Sequence, residues 1–386
     1  MRKRVCIVTT TPFIANAFLR PHFLALKSRY DVTLAINTRD GYPLDAEVKA
    51  AAAIVHVPIQ RKVLLLGDMA ALWGLWRLFR RCRFDLVHTF APKAGFLGML
   101  AAFAAGVHVR LHTFQGEVWA SRTRASRALL KALDRLVGAL ATHRLVVGHG
   151  EQAFLESQGV LASGSSTILG AGSIAGVDVN LFRPNSEARQ QVRSALGIGS
   201  HDVIIMYLGR IARDKGVLDL AKAFTSMASA NAWLVCVGPD EDGLRPALEA
   251  QCGVALERLR LVPYTRTPAQ YLASADIVCL PTYREGFPVV LLEAGACGIP
   301  VVASRVYGTQ DAVLEGITGL VHEPGNIEDI ERALSLLLSD PALRARMGNA
   351  GRQWVAAEFR SERLVAALLD YYARALGEVS ATAANE

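Results

Sequence analysis

The chain has 386 residues, of which 52% are hydrophobic and 20% charged, and its net charge is +7. This length exceeds what a single hydrophobic core usually organises, so we expect two domains. The six cysteines are dispersed and form no CxxC pair, which excludes a disulfide framework and argues against a structural zinc site.

Charge is divided unevenly along the chain. Residues 1–185 contain 23 Lys and Arg against 11 Asp and Glu, whereas the remaining residues contain 19 against 24. A basic first half favours anionic partners such as phosphate groups or a membrane surface, and an acidic second half argues against a nucleic acid as partner. Ordinary solvated surface charge explains the same numbers.

The first residues, MRKRVCIVTTTP, are typical of a first buried strand rather than of a signal peptide, so we expect a cytoplasmic protein. The most apolar stretch, Ala94 to Val109, has 16 residues, whereas a membrane-spanning helix needs about 20. It therefore predicts a buried helix that covers a sheet and runs into a strand.

Short runs rich in Val, Ile and Leu alternate with longer helical segments, which predicts repeated βα units and parallel sheets. The expected strands of the first half are Arg4–Thr9, Asp31–Ile36, Ile54–Val57, Asp85–Thr89, Val109–Phe114 and Arg144–Gly148. Those of the second half are Val203–Gly209, Trp233–Gly238, Leu259–Pro263, Asp276–Leu280, Pro300–Ser304 and Gly319–His322. Two such series predict two doubly wound α/β domains.

The breaks in this pattern suggest the domain limits. The segment LFRPNS, 181–186, interrupts the pattern before a new helix, and a long helix begins near Ser361. We expect an N-terminal domain over residues 1–182, a C-terminal domain over 183–360, and a final segment, 361–386. That segment is expected to form a helix that crosses back to the first domain, followed by a flexible tail.

The stretch Leu64–Arg83 combines an apolar set with a basic set. The apolar set is Leu72, Leu75, Trp76 and Phe79, and the basic set is Arg77, Arg80, Arg81 and Arg83. Such a helix could lie at a membrane interface, with its arginines against anionic lipid, which would give peripheral contact with the inner membrane. A helix that packs on the sheet and has a basic solvent end is the alternative.

The second half carries two motifs at the ends of expected strands. The first runs from Tyr207 to Gly216 and places Arg210 and Lys215 after the first strand, where both could reach a phosphate. The second, EGFPVVLLEA, begins at Glu285 and carries a second glutamate, Glu293, eight positions later. Because ligands bind at the carboxyl ends of strands in open α/β sheets, both motifs indicate one site.

The residues that follow Glu285 are suited to bind a phosphate. Gly286 allows close approach of the backbone, and a helix beginning near Phe287 or Pro288 offers unpaired amides, including that of Val289, and the positive end of its dipole. A carboxylate beside this loop can accept hydrogen bonds from sugar hydroxyls.

Together these motifs resemble the EX7E motif and the G-R-x-x-x-x-K-G element of retaining glycosyltransferases of family four, which have the GT-B fold. The resemblance implies two Rossmann-like domains that face a central cleft. It implies that Arg210 and Lys215 hold the donor diphosphate, that Glu285 lies near the donor sugar and that Glu293 contacts the ribose. It also implies that main-chain groups at Val262 hold the base.

The first half resembles the subgroup that acts in bacterial surface-polysaccharide or polyprenyl-linked glycan assembly. The resemblance is carried by the pair Pro21 and His22 and by the segments that begin at His88, His112 and Leu169. His88 and His112 each end an expected strand, and we expect both to face the cleft, with His112 next to the transferred sugar. The expected acceptor-side residues are His88, Lys93, Glu117 and Trp119.

The activity implied by the resemblance is transfer of a hexose or N-acetylhexosamine from its UDP-linked form to a polyprenyl-diphosphate-linked or other glycan acceptor in surface polysaccharide synthesis. The anomeric configuration is expected to be retained. The expected catalytic residues are Glu285, His112, Arg210 and Lys215. The sequence contains no Asp-x-Asp-like metal motif, so we expect no cofactor and a metal-independent reaction.

Two alternatives remain open from the sequence. The same scaffold suits a sugar-nucleotide epimerase or hydrolase, and it also suits a non-catalytic nucleotide-sugar-binding subunit. An NAD-dependent enzyme is less favoured, because no G-x-G-x-x-G opens either domain.

Overall fold

A computed structural model describes residues 2–60, 64–227 and 231–378. The chain forms two compact units. Unit 1 comprises the described part of Met1–Ala175 and of Ser361–Glu386, and unit 2 comprises the described part of Gly176–Arg360. Strands and helices are numbered below in chain order.

Unit 1 is built on a parallel sheet with the strand order β3-β2-β1-β4-β5-β6-β7. Its strands are Arg4–Val8 (β1), Asp31–Ile36 (β2), Ala53–His56 (β3), Leu86–Phe90 (β4), Val109–Phe114 (β5), His143–Val146 (β6) and Thr167–Ile168 (β7). Its helices are Pro12–Ala17 (α1), Arg20–Arg29 (α2), Ala46–Ala51 (α3), Leu65–Cys82 (α4), Pro92–Ala104 (α5), Arg124–Leu140 (α6), His149–Ser157 (α7) and Ser361–Ala375 (α15). A single 3-10 turn in the described part of this unit covers Val118–Ser121.

Unit 2 is built on a second parallel sheet with the strand order β10-β9-β8-β11-β12-β13. Its strands are Val203–Leu208 (β8), Ala232–Val237 (β9), Leu259–Val262 (β10), Ile277–Leu280 (β11), Val301–Ser304 (β12) and Gly319–His322 (β13). Its helices are Ser186–Leu196 (α8), Val217–Ser226 (α9), Arg245–Cys252 (α10), Pro268–Ser274 (α11), Val289–Ala296 (α12), Ile327–Ser339 (α13) and Pro341–Glu358 (α14). Further 3-10 turns cover Arg213–Lys215 and Gly253–Arg258.

Local sequence explains where several of these helices begin and end. Asn185, Asn326 and Asp340 cap α8, α13 and α14 through side-chain oxygens that accept a backbone N–H. Gly197 ends α8 in the left-handed conformation. The central strands are buried because helices cover both faces of a doubly wound sheet. The predicted α/β class with two Rossmann-like sheets is confirmed.

The apolar stretch from Ala94 to Val109 forms most of α5 and the first residue of β5. Seven residues of α5 are buried, as predicted for a helix that covers the sheet. None of the helices within the described ranges is long and apolar enough to cross a membrane.

Helix α4 packs its expected apolar set into unit 1, as the sheet-packing alternative predicts. Leu75 and Phe79 are buried in the core of unit 1, and Leu72 and Trp76 pack against that core. The expected apolar set therefore faces the protein interior rather than a membrane. A different apolar set is exposed on this helix, consisting of Leu65, Leu66, Met69 and Trp73.

Candidate active site

The predicted donor-binding motifs lie at the point where the strand order of unit 2 reverses. β8 pairs with β9 on one side and with β11 on the other, and all these pairs are parallel. The chain segments that follow β8 and β11 therefore leave the sheet at the same edge. In open α/β sheets, this switch point is where ligands bind.

The two segments are joined through the backbone. The carbonyl oxygen of Asp214 accepts hydrogen bonds from the amide of Tyr283 at 2.9 Å and from the hydroxyl of Thr282 at 3.3 Å. Gly216 has a φ of +65°, and a Cβ at this position would overlap the carbonyl oxygen of Pro281. A glycine is therefore required there for both backbone conformation and contact.

This junction brings Lys215 to Glu285. The ammonium Nζ donates to Oε1 of the carboxylate at 2.5 Å, and each side chain is only 14% exposed. Lys215, predicted to hold the donor diphosphate, and Glu285, predicted to lie near the donor sugar, are thus direct neighbours, although 70 positions separate them in the chain.

Arg210 lies on the same loop and is also paired with acidic side chains. Its Nη1 donates to Oε2 of Glu241 at 2.6 Å, and its Nη2 lies 3.9 Å from Oδ2 of Asp214. Burial opposes the positive charge, but the hydrogen bond and negative charge of Glu241, with Asp214, raise the pKa of the guanidinium above its ordinary value. Arg210 is therefore a fixed cation at the edge of this sheet.

The segment after Glu285 is closely packed. Gly286 is buried, and a Cβ at Gly308 would overlap the carbonyl oxygens of both Glu285 and Gly286. Phe287 is buried, and its ring centroid lies 5.9 Å from that of Phe359. This packing fixes the path of the chain into the following helix.

Helix α12 begins at Val289, with Pro288 as its N-cap residue, one or two positions later than predicted. The first amides of a helix have no partner within it, so Val289 and its neighbours can donate to an anion. Glu293 lies on this helix, and its carboxylate has no hydrogen bond or ion pair to any of the described residues. Burial raises the pKa of its carboxyl to about 7.

Val262 is the last residue of β10, on the far side of β9 from Arg210. Its carbonyl oxygen accepts a hydrogen bond from the amide of Gly238 at 2.9 Å. This main-chain group, predicted to hold a base, is thus already bound to the neighbouring loop.

Three charged residues of this site were missed by the sequence analysis. Arg284 donates from Nη2 to Oδ2 of Asp214 at 3.3 Å, and its Nε is buried without a hydrogen-bond partner. Asp214 and Glu241 are the acidic partners described above. Arg284 could have been identified from the sequence because it directly precedes Glu285. Glu241 could have been identified because it follows β9, which neighbours β8 in the sheet.

In unit 1, His112 lies within β5 rather than at its end. Its Nδ1 is 2.7 Å from the hydroxyl of Thr89, and its ring packs so closely on α5 that a Cβ at Gly95 would overlap it. Burial lowers the pKa of His112 to about 3, so the imidazole is neutral. Its Nε2 has no hydrogen bond to the described residues.

His88 lies on the opposite face of the same sheet, so the expectation that both histidines face one cleft is wrong. His88 pairs in register with Leu111, one position before His112, and successive strand residues point to opposite faces. Its two ring nitrogens bond to Tyr372 at 2.6 Å and Thr113 at 2.7 Å. His88 is buried and is fully used within unit 1.

The other expected acceptor-side residues are also engaged inside unit 1. Trp119 is 1% exposed, and its indole N–H donates to Asp134 at 2.7 Å, so its ring offers no surface to an acceptor. Glu117 is buried and hydrogen-bonds the carboxyl of Glu151. Lys93 pairs with Asp68 at 2.5 Å, which links α5 to α4.

Two family models match the chain. Residues 188–354 match the model described as glycosyl transferases group 1, and residues 7–163 match the glycosyl transferase 4-like domain. The chain is 27% identical over 316 residues to the capsular polysaccharide biosynthesis glycosyltransferase CapM of Staphylococcus aureus, covering 80% of this chain and 82% of that protein. It is 26% identical over 345 residues to an Escherichia coli enzyme, UDP-Gal:alpha-D-GlcNAc-diphosphoundecaprenol alpha-1,3-galactosyltransferase, covering 87% of both chains.

Solved structures show the same fold. Sucrose-phosphate synthase of Thermosynechococcus elongatus matches with a TM-score of 0.85 at 21% identity, over 98% of this chain and 100% of that one. Anabaena HepE in complex with UDP-glucose matches with a TM-score of 0.78 at 16% identity, over 96% and 99%. With both halves matched by glycosyltransferase models and the GT-B fold shared with these structures, the chain belongs to the family-four GT-B glycosyltransferases.

Proposed function

We propose that the chain transfers a sugar from a UDP-linked hexose or N-acetylhexosamine to a polyprenyl-diphosphate-linked or other glycan acceptor in surface polysaccharide synthesis. The similarity to the diphosphoundecaprenol galactosyltransferase supports this acceptor class, and the similarity to CapM supports a role in polysaccharide synthesis. The complex of HepE with UDP-glucose supports UDP as the nucleotide.

The contact between Lys215 and Glu285 is the observation that carries the proposal. It brings together, at the switch point of unit 2, the cation that would bind phosphate and the carboxylate that would bind the sugar. A nucleotide diphosphate sugar offers both complementary groups next to each other. The unpartnered carboxylate of Glu293 would accept hydrogen bonds from the ribose hydroxyls.

The chemistry follows from the charges that develop during transfer. Breaking the bond between the anomeric carbon and the phosphate oxygen leaves positive charge on the sugar and negative charge on the departing nucleotide. Arg210, Lys215 and the amides at the start of α12 would stabilise that nucleotide without a metal ion. Glu285 would orient the sugar while the acceptor hydroxyl attacks from the face that the phosphate leaves and gives its proton to the departing phosphate. Attack from that face retains the anomeric configuration.

His112 would act from unit 1 as a neutral hydrogen-bonding group. Its Nδ1 is engaged by Thr89, so Nε2 is the atom with which it would contact a hydroxyl of the transferred sugar. Because its pKa is lowered to about 3, this contact would not change with pH above about 4.

We also infer that α4 binds the membrane surface that contains a lipid-linked acceptor. Leu66, Met69 and Trp73 are exposed and follow each other at helical spacing, and Arg77 and Arg80 continue the same stripe. Apolar side chains in the headgroup region and arginines against anionic lipid suit this arrangement.

A direct assay tests the main proposal. The purified chain is incubated with UDP-glucose, UDP-galactose or their N-acetylamino counterparts, with and without a polyprenyl-diphosphate-linked sugar, in the presence of EDTA. We expect an extended lipid-linked product with the anomeric configuration of the donor, detected by mass spectrometry and NMR. Epimerised or free sugar formed equally without acceptor would instead identify an epimerase or hydrolase.

A further inference from the structure

Both cations that the proposed function assigns to the donor diphosphate are paired with carboxylates. Lys215 is bound to Glu285, and Arg210 is bound to Glu241 at 2.6 Å. Glu285 already has a role at the donor sugar. Glu241 has none, although it holds the guanidinium that a phosphate would need.

The position of Glu241 is fixed by the backbone. Its amide donates to the carbonyl oxygen of Ile211 at 3.1 Å, and the amide of Ile211 donates to the carbonyl oxygen of Pro239 at 2.9 Å. The segment after β9 is thus joined to the loop that carries Arg210. The ion pair is therefore set by the fold rather than by a chance surface contact.

A carboxylate and a phosphate offer the guanidinium the same kind of charged oxygen acceptor. The side chains of Arg210 and Glu241 are each 31% exposed, so little of the guanidinium is accessible to a second anion while Glu241 is bound. A diphosphate that takes the hydrogen bond from Nη1 must displace the Glu241 carboxylate. A carboxylate left beside a bound diphosphate would also repel it.

We propose that Glu241 is a specificity-determining residue of the donor site, one that holds Arg210 in place and competes with the donor diphosphate for it. This inference rests on the proposed function. Glu241 would weaken the binding of every ligand whose phosphate binds Arg210, and it would not affect the binding of ligands without phosphate. The residue thereby sets how readily UDP leaves after transfer.

The test compares UDP with uridine on two charge-matched variants. Glu241→Gln keeps the shape of the side chain but removes its charge, and Glu249→Gln removes the same charge from an exposed position on α10. Dissociation constants are measured by calorimetry at low salt. We expect Glu241→Gln to bind UDP about two- to fivefold more tightly than wild type, the range of a partly exposed ion pair. Uridine binding, and UDP binding by Glu249→Gln, should match wild type.

A double-mutant cycle supplies the decisive control. In a chain that carries Arg210→Gln, the further change Glu241→Gln should tighten UDP binding less than it does in the wild-type chain, because only the repulsion between carboxylate and diphosphate is then relieved. Equal tightening in both chains would show that the two anions do not compete for Arg210. Unchanged or weaker UDP binding by Glu241→Gln, or equal tightening of uridine, overturns this inference and leaves the proposed function standing. Wild-type protein that binds none of UDP, GDP and ADP overturns both.

Discussion

The imidazole Nδ1 of His88 lies 2.6 Å from the hydroxyl oxygen of Tyr372, which joins β4 to the last helix of unit 1. Burial, with smaller contributions from His112 and His22, holds the pKa of His88 well below its usual range. The ring is therefore neutral, and both its nitrogens are hydrogen-bonded. Helix α15 is thus attached to the sheet by a buried polar contact as well as by apolar packing.

Replacing Tyr372 with Phe should destabilise unit 1. The change leaves Nδ1 of His88 buried without its partner, a loss of about 1 to 3 kcal/mol. Thermal and urea unfolding, followed by a probe of unit 1, would measure it. Tyr271→Phe in unit 2 removes a hydroxyl that has no hydrogen bond to the described residues, and it should leave the stability of unit 1 unchanged. Equal stability of the two variants would show that the His88 contact contributes nothing.

The two glutamates of the motif should have separable effects. Glu285→Ala should lower kcat roughly 100-fold, because a group that orients the reacting sugar is lost. Glu293→Ala should raise the Kd for UDP about tenfold through loss of a charged hydrogen bond to the ribose. Steady-state kinetics and calorimetry would separate these effects, with Glu249→Ala as the control. Wild-type kinetics in both variants would contradict the assigned roles.

Nucleoside binding should depend on pH through Glu293. Its pKa is raised to about 7, so the carboxylate that accepts ribose hydroxyls is present above that pH and is lost as the pH falls. Uridine affinity should therefore weaken as the pH falls through 7, by up to about tenfold in total, the loss expected for Glu293→Ala. Uridine is the suitable probe because it carries no phosphate to titrate. In Glu293→Gln, uridine affinity should not change between pH 5.5 and about 8. If the affinity of this variant still changed with pH, a group other than Glu293 would be responsible for the titration.

Membrane binding by α4 should require both parts of its exposed stripe. Changing Leu66, Met69 and Trp73 to Ser should weaken binding to vesicles by removing apolar contact. Changing Arg77, Arg80, Arg81 and Arg83 to Ser should lower binding at least about tenfold, and only on vesicles that contain anionic lipid. Co-sedimentation would measure both effects.

The charge-matched control for this experiment removes four exposed arginines from elsewhere, namely Arg39, Arg266, Arg332 and Arg346. It should bind vesicles almost as well as wild type if position matters more than net charge. Unchanged binding and unchanged activity on a lipid-linked acceptor in the two α4 variants would end the membrane proposal.

The sequence was sufficient to predict the sheets, because apolar runs and helical segments alternate regularly in both halves. The short edge strand Thr167–Ile168 was missed, since two residues carry no detectable period. The faces of His88 and His112 were misjudged because they depend on the register between β4 and β5, which neither strand reveals alone. Trp119 was misplaced because a 3-10 turn carries a loop residue into the core.

The donor motifs were predictable because their residues follow strands that meet at one sheet edge. Their acidic partners were not, because the ion pair of Arg210 with Glu241 and that of Arg284 with Asp214 join separate loops. Such pairs depend on the distance between two loops in the folded protein. They could not be predicted, because the residue types and spacing within one segment do not reveal that distance.

Unit 1 is assembled from two stretches of chain, one before unit 2 in the sequence and one after it. During synthesis, Tyr372 leaves the ribosome only after every residue of unit 2 has been made. Unit 2, a continuous stretch, can thus fold on the nascent chain before unit 1 has its last helix, while Nδ1 of His88 still lacks Tyr372. Any attempt to produce unit 1 separately would have to splice its two stretches into one polypeptide, whereas unit 2 could be excised by two simple cuts.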